Sequence, residues 1–314
     1  MKTVFVSADE KECTEHILNA IGKIRKGGMQ LVARKCLTEE ELEETAKDAE
    51  IIWFWGRCPG LTESLLPKLP CLKAIFRSGS GLDAIPVEEC TKRGIAVCNT
   101  PESISEAVAE HAAALLHALA KKIPAGNTAV REGSWPTDGA INSVHLTGRT
   151  LGLVGYGRIA RRLEEILSGY RMRVLFHDPF VEGSASLEEV LKEADFLSLH
   201  CPLTEATRHW INKDSFARMK KTALLINTSR GAVIDEEALA EALKKGEIAG
   251  AALDVTENEP LEKTSPLREL PNVIITPHTA PFTDRFQGIF WECSADKVLA
   301  LLKGDFRKES TNLR

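Results

Sequence analysis

Short runs of β-branched and other apolar residues alternate along the chain with segments in which apolar residues recur every three or four positions. In the N-terminal third these runs predict strands at 3–7, 30–34, 50–55, 72–78 and 95–99, with helical stretches such as 38–48 and 62–69 between them. The strand runs are almost continuously apolar, which is typical of parallel strands covered on both faces. The alternation therefore predicts βαβ units and a parallel sheet.

The same alternation resumes further along the chain. A predicted helix at 103–120 is followed by segment 123–145, which is rich in Pro and Gly and is predicted to be a loop-rich excursion that contacts another subunit. Six more strands are predicted at 150–154, 173–177, 196–200, 223–227, 251–255 and 273–275, with helices at 158–168, 236–245 and 283–302. The pattern predicts an α/β protein with two open parallel sheets and a cleft between them.

Length and composition narrow the class of protein. The chain has 314 residues, 43% of them hydrophobic, which predicts about two globular domains. A net charge of −5 excludes the overall basic character of a nucleic-acid binder, and no apolar run reaches the ~18 residues that span a membrane. The eight cysteines form no CxxC pair, so we expect free thiols, no metal site and a cytoplasmic location.

A glycine-rich turn follows the first strand of the second series. Gly155, Gly157 and Ala160 form a G-x-G-x-x-A pattern directly after a predicted strand and at the start of a predicted helix. Gly155 permits the tight turn, Gly157 lets the backbone approach a pyrophosphate, and Ala160 allows close packing of helix and strand. The first helical residues, Arg158 and Ile159, present free amides to the phosphates. The turn predicts a dinucleotide site.

An acidic residue stands at the end of the next predicted strand. Asp178 follows Ala160 by 18 positions, close to the spacing of the carboxylate that hydrogen-bonds the ribose in dinucleotide-binding folds. This carboxylate would repel the additional phosphate of NADP, and no arginine follows it. The sequence therefore predicts NAD as the cofactor.

Three ionisable residues follow predicted strands of the second series. They are Arg230, Glu259 and His278, and in open α/β sheets ligands bind beyond the carboxyl ends of the strands. A guanidinium clamps a carboxylate, an imidazole moves a proton near neutral pH, and a carboxylate beside the imidazole favours its protonated form. Taken singly, they are better explained as a surface ion-pair partner, a loop charge and a strand-end histidine. Together with the dinucleotide turn they predict hydride transfer on a 2-oxo or 2-hydroxy acid.

The chain resembles the D-isomer-specific 2-hydroxyacid dehydrogenases almost from end to end. The resemblance rests on RSGSGLD at 77–83, VAEH at 108–111, the glycine turn at 152–160, HCPLT at 200–204, NTSRG at 227–231, ALDV at 252–255 and TPH at 276–278. It implies a Rossmann cofactor domain, residues 101–285, inserted into a flavodoxin-like substrate domain made of 1–100 and 286–314. It also implies homodimers that form through the cofactor domain.

The resemblance also implies roles for individual residues. Arg230, Glu259 and His278 would be the catalytic arginine, glutamate and histidine, and Asp254 would contact the carboxamide of the nicotinamide. The residues lining the cofactor would be His200, Cys201, Pro202, Thr207, Thr228 and Ser229. The backbone amides of Gly79, Ser80 and Gly81 would hold the carboxylate of a small anionic substrate.

Two arginines raise the question of a second anionic group on the substrate. Arg77 ends a predicted strand before the glycines, where phosphoglycerate-type members carry an arginine near the phosphate, and Arg57 follows the strand at 50–55. Two guanidiniums suit a phosphate, a sulfonate or a second carboxylate, and the alternative is a pair of solvated strand ends. A short phosphoglycerate-type dehydrogenase is the leading expectation. The alternative function is that of an NADH-sensing corepressor, which some relatives have.

Overall fold

The structure is a computed structural model that describes residues 1–135, 142–304 and 306–313. The strands are β1 (Lys2–Phe5), β2 (Gln30–Ala33), β3 (Ile51–Trp55), β4 (Ala74–Ser78), β5 (Ala96–Asn99), β6 (Thr150–Val154), β7 (Arg173–His177), β8 (Phe196–Leu199), β9 (Leu224–Asn227), β10 (Gly250–Leu253) and β11 (Val273–Ile275). The α-helices are α1 (Glu15–Lys26), α2 (Glu39–Ala46), α3 (Val87–Lys92), α4 (Ser105–Ala120), α5 (Ile123–Arg131), α6 (Arg158–Leu167), α7 (Leu187–Glu193), α8 (Lys213–Arg218), α9 (Glu236–Lys245), α10 (Phe286–Leu302) and α11 (Phe306–Glu309).

The chain divides into two compact units. Unit 1 is built from two chain segments, Met1–Ile104 and Thr283–Arg314, and unit 2 is the continuous segment Ser105–Phe282. Unit 1 contains a five-stranded sheet in the order β2-β1-β3-β4-β5, and unit 2 a six-stranded sheet in the order β11-β10-β9-β8-β6-β7. All the strand pairs are parallel. The prediction of two parallel α/β sheets is confirmed.

In unit 1 the sheet is covered on both faces. Helices α1 and α10 pack on one face, where Phe5, Trp53, Phe290 and Trp291 form an aromatic core, and α2 and α3 cover the other face. The edge strand β5 is paired by the C-terminal segment: the amide of Thr311 donates to the Val97 carbonyl at 2.8 Å. The last part of the chain therefore completes the sheet that its first part begins.

In unit 2 helices α4 and α6 cover one face of the sheet, and α7, α8 and α9 cover the other. The second strand of the unit, β7, lies outside β6, and every later strand is added on the opposite side of β6, starting with β8. The order of the strands thus reverses at β6. In doubly wound sheets ligands bind at the carboxyl ends of the strands beside such a reversal. The turn that follows β6 is the glycine-rich turn.

Two local predictions were wrong. Segment 62–69 contains only a 3₁₀ turn, Leu66–Lys68, because Pro67 lacks the amide that a longer helix needs. Segment 123–145 begins with α5 instead of a loop. Its proline, Pro124, lies in the first turn of the helix, where a missing amide costs nothing. Residues 136–141, with Pro136 and Gly139, lie outside the described residues.

Among the described residues, no helix combines the length and apolar character that a membrane span requires. The same residues contain no cluster of three or more His, Cys, Asp or Glu side chains placed to hold a metal ion.

Candidate active site

The turn after β9 places Arg230. Asn227, the last residue of β9, is fully buried, and its side-chain oxygen accepts hydrogen bonds from the amide and hydroxyl of Ser229 at 2.9 and 2.8 Å. The side-chain amide of Asn227 donates to the carbonyl of Arg230 at 2.9 Å. A single buried side chain thus fixes the backbone on both sides of Thr228 and sets the position from which the Arg230 guanidinium extends.

The loop after β9 lies directly against the loop after β10. A Cβ atom at Gly231 would lie 2.0 Å from the Thr256 carbonyl carbon and 2.4 Å from the Glu257 nitrogen, which leaves room only for glycine. This close approach brings the backbone next to Arg230 against the segment that leads to Glu259.

The loop after β11 is held by Asp254. The Asp254 carboxylate is 1% exposed and accepts hydrogen bonds from the Thr276 hydroxyl at 2.5 Å and from the amides of Thr279 and Ala280 at 3.0 Å each. Burial raises the pKa of Asp254, but these bonds and His111 outweigh it and hold the pKa below its usual value. His111 lies on α4, and its Nε2 donates to the Thr276 hydroxyl at 3.0 Å.

His278 lies within the segment that Asp254 anchors. Its backbone has a φ of +53°, in the left-handed region that residues other than glycine rarely adopt, and its amide donates to the Asp254 carbonyl at 2.8 Å. Strained backbone of this kind persists where the surrounding contacts fix it, often at functional sites. The hydrogen bonds on both sides of His278 provide those contacts.

His278 and Glu259 are joined by a hydrogen bond, with 2.8 Å between Nδ1 and Oε2. Burial raises the pKa of Glu259, but the bond from His278, the amide of Thr256 and the positive charge of Arg230 together lower it. Glu259 is therefore a carboxylate at neutral pH, and Nδ1 of His278 donates to it. The structure brings the three predicted residues together: the imidazole bonds the carboxylate, and the guanidinium lies close enough to change its pKa.

The glycine turn lies where β6 meets α6. The amide of Gly155 donates to the His177 carbonyl at 2.8 Å, and its φ is +84°. A Cβ atom on Gly155 would lie 2.7 Å from the Cys201 nitrogen, so this glycine lets two loops touch. Gly157, directly before α6, has no atom within 4 Å of the place where its Cβ would stand. Open space over a backbone at the start of a helix is what a bound pyrophosphate requires.

Asp178 stands directly after β7 and faces the same turn. One of its carboxylate oxygens accepts from the Tyr156 amide at 2.8 Å and the other from the Phe180 amide at 3.0 Å. Arg158 and Ile159 are the first two residues of α6. The acidic residue found by spacing therefore lies against the glycine turn.

The other residues predicted to line the cofactor occupy the loops after β8 and β9. Cys201 and Thr228 are buried, and Thr207 folds its loop back by donating to the Pro202 carbonyl at 2.7 Å. Burial lowers the pKa of His200 to about 4, so its imidazole is neutral, and Nε2 lies 2.9 Å from the Ser198 hydroxyl. The buried hydroxyl of Thr228 has no hydrogen-bond partner among the described residues. An orphaned hydroxyl beside Ser229 and open space at Gly157 fit a bound dinucleotide.

Alanine substitutions at the two glycines of this turn are expected to have different effects: one on NADH binding and the other on stability. Gly157→Ala should leave the melting temperature nearly unchanged and weaken NADH binding by at least about tenfold, because the new methyl group takes the space of the pyrophosphate. Gly155→Ala should lower the melting temperature, because its Cβ meets backbone. Calorimetric NADH titration and thermal unfolding of both variants test this. Normal NADH affinity in Gly157→Ala would contradict the assignment of the turn.

Of the predicted substrate residues in unit 1, Arg77 lies within β4, Arg57 follows β3, and the other three follow β4. The amide of Gly79, predicted to bind a carboxylate, donates to the Thr100 hydroxyl at 2.9 Å. The Arg77 guanidinium donates to the carbonyls of Gly56 and Gly81. Arg57 is exposed to solvent. The amides of Ser80 and Gly81 donate to no residue in the described part of the chain.

Sequence reasoning missed the residues that hold the loops of Arg230 and His278. Asn227 was named only as part of a longer motif and Asp254 only as a cofactor contact, yet they anchor these two loops. His111 was named only within the VAEH motif, and its bond to Thr276 makes it part of the same support. A polar residue at the end of an otherwise apolar strand is the signal that could have found Asn227 and Asp254.

A family model, the NAD binding domain of D-isomer specific 2-hydroxyacid dehydrogenases, matches residues 113–280, more than half of the chain. This chain belongs to that family. Among curated relatives, it is 40% identical to the glyoxylate reductase of Korarchaeum cryptofilum over 255 residues. The matched region covers 77% of each chain. The chain is also 37% identical over 287 residues to the D-3-phosphoglycerate dehydrogenase of Methanocaldococcus jannaschii, covering 88% of this chain and 54% of the relative. The chain thus spans about half the length of that relative.

The fold of this dehydrogenase matches solved structures over its whole length. The crystal structure of D-lactate dehydrogenase from Aquifex aeolicus complexed with NAD and lactic acid is 32% identical, covers 99% of both chains and superposes with a TM-score of 0.85. The family and the NAD-binding domain predicted from the glycine turn are confirmed.

Proposed function

We propose that this dehydrogenase interconverts a small D-2-hydroxy acid and its 2-oxo acid with NAD as cofactor. The observation that carries the proposal is the His278–Glu259 pair, joined at 2.8 Å, with Arg230 close enough to lower the pKa of Glu259. All three residues follow the carboxyl ends of strands in the NAD-binding domain. The glyoxylate reductase, phosphoglycerate dehydrogenase and lactate dehydrogenase among its relatives support a small 2-oxo acid as the substrate.

The pair defines how the proton moves. Glu259 accepts the hydrogen bond of Nδ1, which fixes the imidazole orientation and leaves Nε2 of His278 to exchange a proton with the substrate oxygen. The protonated imidazole is the form that donates the proton during reduction. Arg230 binds the substrate carboxylate and polarises the carbonyl oxygen. Bound NADH supplies the hydride that the carbonyl carbon accepts.

The remaining site residues are assigned by the same proposal. Ser80 and Gly81 hold the substrate carboxylate through their amides, and Asp178 binds the ribose of the cofactor. The cofactor pocket comprises Gly155, Gly157, Arg158, Ile159, His200, Cys201, Pro202, Thr207, Thr228, Ser229 and Asp254.

A spectrophotometric assay tests the function. Purified protein is mixed with NADH and, separately, with glyoxylate, pyruvate and 3-phosphohydroxypyruvate, and loss of the nicotinamide absorbance is followed. Turnover of at least one acid is expected. Tight NADH binding without turnover of any of them would contradict the proposal and favour the alternative, an NADH-sensing corepressor of the same fold. Activity on 3-phosphohydroxypyruvate alone would identify a phosphoglycerate-type enzyme.

Cofactor preference depends on Asp178. Asp178→Ala is expected to weaken NADH binding and to narrow the preference for NADH over NADPH by about tenfold or more, because the ribose loses a hydrogen-bond acceptor and the extra phosphate loses a repelling charge. The ratio of kcat/KM for the two cofactors measures the change. Asp214→Ala, a change at an exposed residue of α8, is the matched control. An unchanged ratio in Asp178→Ala would contradict its role.

We also propose that the dehydrogenase is a homodimer formed through the NAD-binding domain. The apolar side chains of Ile123, Val130 and Trp135 are 56%, 48% and 78% exposed. A cavity of about 490 Å³ lies between the end of α4, the start of α5 and the starts of β9 to β11. Val130→Glu is expected to give a monomer by light scattering, and Val32→Glu, at an exposed valine of unit 1, is not. A monomeric wild type would disprove the proposal.

Free cysteines support a reducing compartment. All eight are unpaired thiols, five of them buried. A cytoplasmic location is therefore part of the proposal.

A further inference from the structure

Every backbone carbonyl of the loop after β4, residues 79–81, accepts a hydrogen bond. The Gly79 carbonyl accepts from the Thr100 amide at 2.9 Å, and the Ser80 carbonyl accepts from the Asn99 side-chain amide at 2.7 Å. The Gly81 carbonyl accepts from Nη1 of Arg77. The three oxygens that would repel an anion are each paired with a donor.

Of the three backbone amides of this loop, only one donates to a described residue. The amide of Gly79 is bonded to the Thr100 hydroxyl, whereas the amides of Ser80 and Gly81 donate to none of the described residues. The backbone polar groups that remain without a partner among the described residues are therefore two neighbouring N–H groups and no carbonyl. Adjacent backbone amides of this kind form a site for an anion.

Arg77 also links this loop to the segment that follows β3. Its Nε donates to the carbonyl of Gly56 at 3.2 Å, just beyond β3, while Nη1 reaches Gly81. The planar guanidinium bonds both carbonyls at once, which a lysine ammonium on a flexible stem cannot reproduce with the same geometry. The positive charge of Arg77 therefore lies at the Gly81 carbonyl, in the same loop as the two N–H groups, which carry partial positive charge themselves.

We propose that Arg77 is a positioning residue for the substrate carboxylate and not a ligand of a second anionic group. It removes the Gly81 carbonyl from the anion site and fixes the Ser80 and Gly81 amides through the bond to Gly56. This inference rests on the proposed function and deepens it, since it names what organises the carboxylate site of unit 1. It also assigns Arg77 a different role from the second-anion contact expected from the sequence.

The two roles predict different results for different substrates. A ligand of a second anion would affect 3-phosphohydroxypyruvate and leave glyoxylate unchanged, because glyoxylate has only the carboxylate. A positioning residue affects every 2-oxo acid by the same factor, because every substrate carries the carboxylate that the loop binds.

The test compares Arg77→Lys with wild type on the two substrates. We expect KM to rise by about tenfold or more for every acid turned over, with little change in kcat, since hydrogen bonds to charged groups are worth about 1.5–3 kcal/mol. The Kd of NADH and the melting temperature should stay close to wild type. In Arg77→Ala, added guanidinium should restore KM. Arg93→Lys, an exposed arginine of unit 1, is the control.

A second variant keeps the test informative if Arg77 variants fold poorly. Asn99→Ser removes the donor to the Ser80 carbonyl and should raise KM in the same substrate-independent way. A rise in KM for 3-phosphohydroxypyruvate alone, or no rise in either variant, would overturn the proposal.

Failure of the proposed function gives a separate result. If wild type reduces no 2-oxo acid, calorimetric binding of oxalate to the NADH-loaded protein replaces KM. Oxamate, which carries a single carboxylate, is titrated in parallel: weaker binding of both oxalate and oxamate in Arg77→Lys supports the positioning role, whereas unchanged oxamate binding overturns it.

Discussion

Replacing His278 with asparagine is expected to lower kcat for reduction of a 2-oxo acid by about 10²–10⁴-fold, the usual worth of general acid catalysis. The amide of asparagine cannot donate the proton that Nε2 of the imidazole supplies. Asparagine is preferable to alanine because the backbone at this position has a φ of +53°, a conformation that asparagine tolerates. Stopped-flow measurement of a single turnover, with NADH affinity determined by titration, separates the chemical step from cofactor binding.

The control for this variant is His16→Asn, at an exposed histidine of α1. It should behave as wild type in both measurements. Near wild-type kcat in His278→Asn would show that His278 does not transfer the proton. It would also show that the hydrogen bond to Glu259 has no part in catalysis.

Gly231→Ala is expected to have the second large effect. The new Cβ would stand 2.0 Å from the Thr256 carbonyl carbon, so the loops after β9 and β10 must separate. Overpacking of this kind costs about 1–3 kcal/mol of stability, and displacing a catalytic group by about 1 Å can cost 10²-fold in rate. We expect a lower melting temperature and a loss of kcat/KM of that order, since Arg230 moves away from Glu259.

Gly22→Ala is the matched control. Gly22 lies in α1 with no atom within 4 Å of its Cβ position, so alanine there should raise stability by about 0.5–1 kcal/mol and leave kcat/KM unchanged. Wild-type activity in Gly231→Ala would show that the contact with Thr256 does not set the position of Arg230.

Local patterns were enough to predict the two sheets and the dinucleotide turn. The apolar runs mark buried parallel strands directly, and the spacing from Gly155 to Asp178 reflects one βαβ unit whose length the fold dictates. The three ionisable residues could be placed at one edge of a sheet because the carboxyl ends of parallel strands meet there. Their direct pairing is a matter of side-chain geometry that spacing does not contain.

The supports of the site could not be predicted from local patterns. Asp254 accepts hydrogen bonds from residues more than twenty positions away, and His111 on α4 bonds Thr276 in the loop after β11. Contacts between residues so far apart in sequence leave no periodic signal. The proposed role of Arg77 depends on which carbonyls the folded loop presents, whereas its charge and the family resemblance suggested an anion ligand. Helix α5 was missed because Pro124 and Gly126 were interpreted as helix breakers, although proline in a first turn is favourable.

The interrupted course of unit 1 has a consequence for synthesis on the ribosome. Unit 2 is one continuous stretch, so it can fold while the ribosome is still translating, whereas β5 and the aromatic core of unit 1 wait for α10 and Thr311 to emerge. The N-terminal third of the nascent protein therefore carries an incompletely covered sheet while roughly two hundred further residues are added. At ~5–20 residues per second this takes tens of seconds in the slower case. During that interval chaperones that bind exposed apolar strands have their natural target in the first hundred residues.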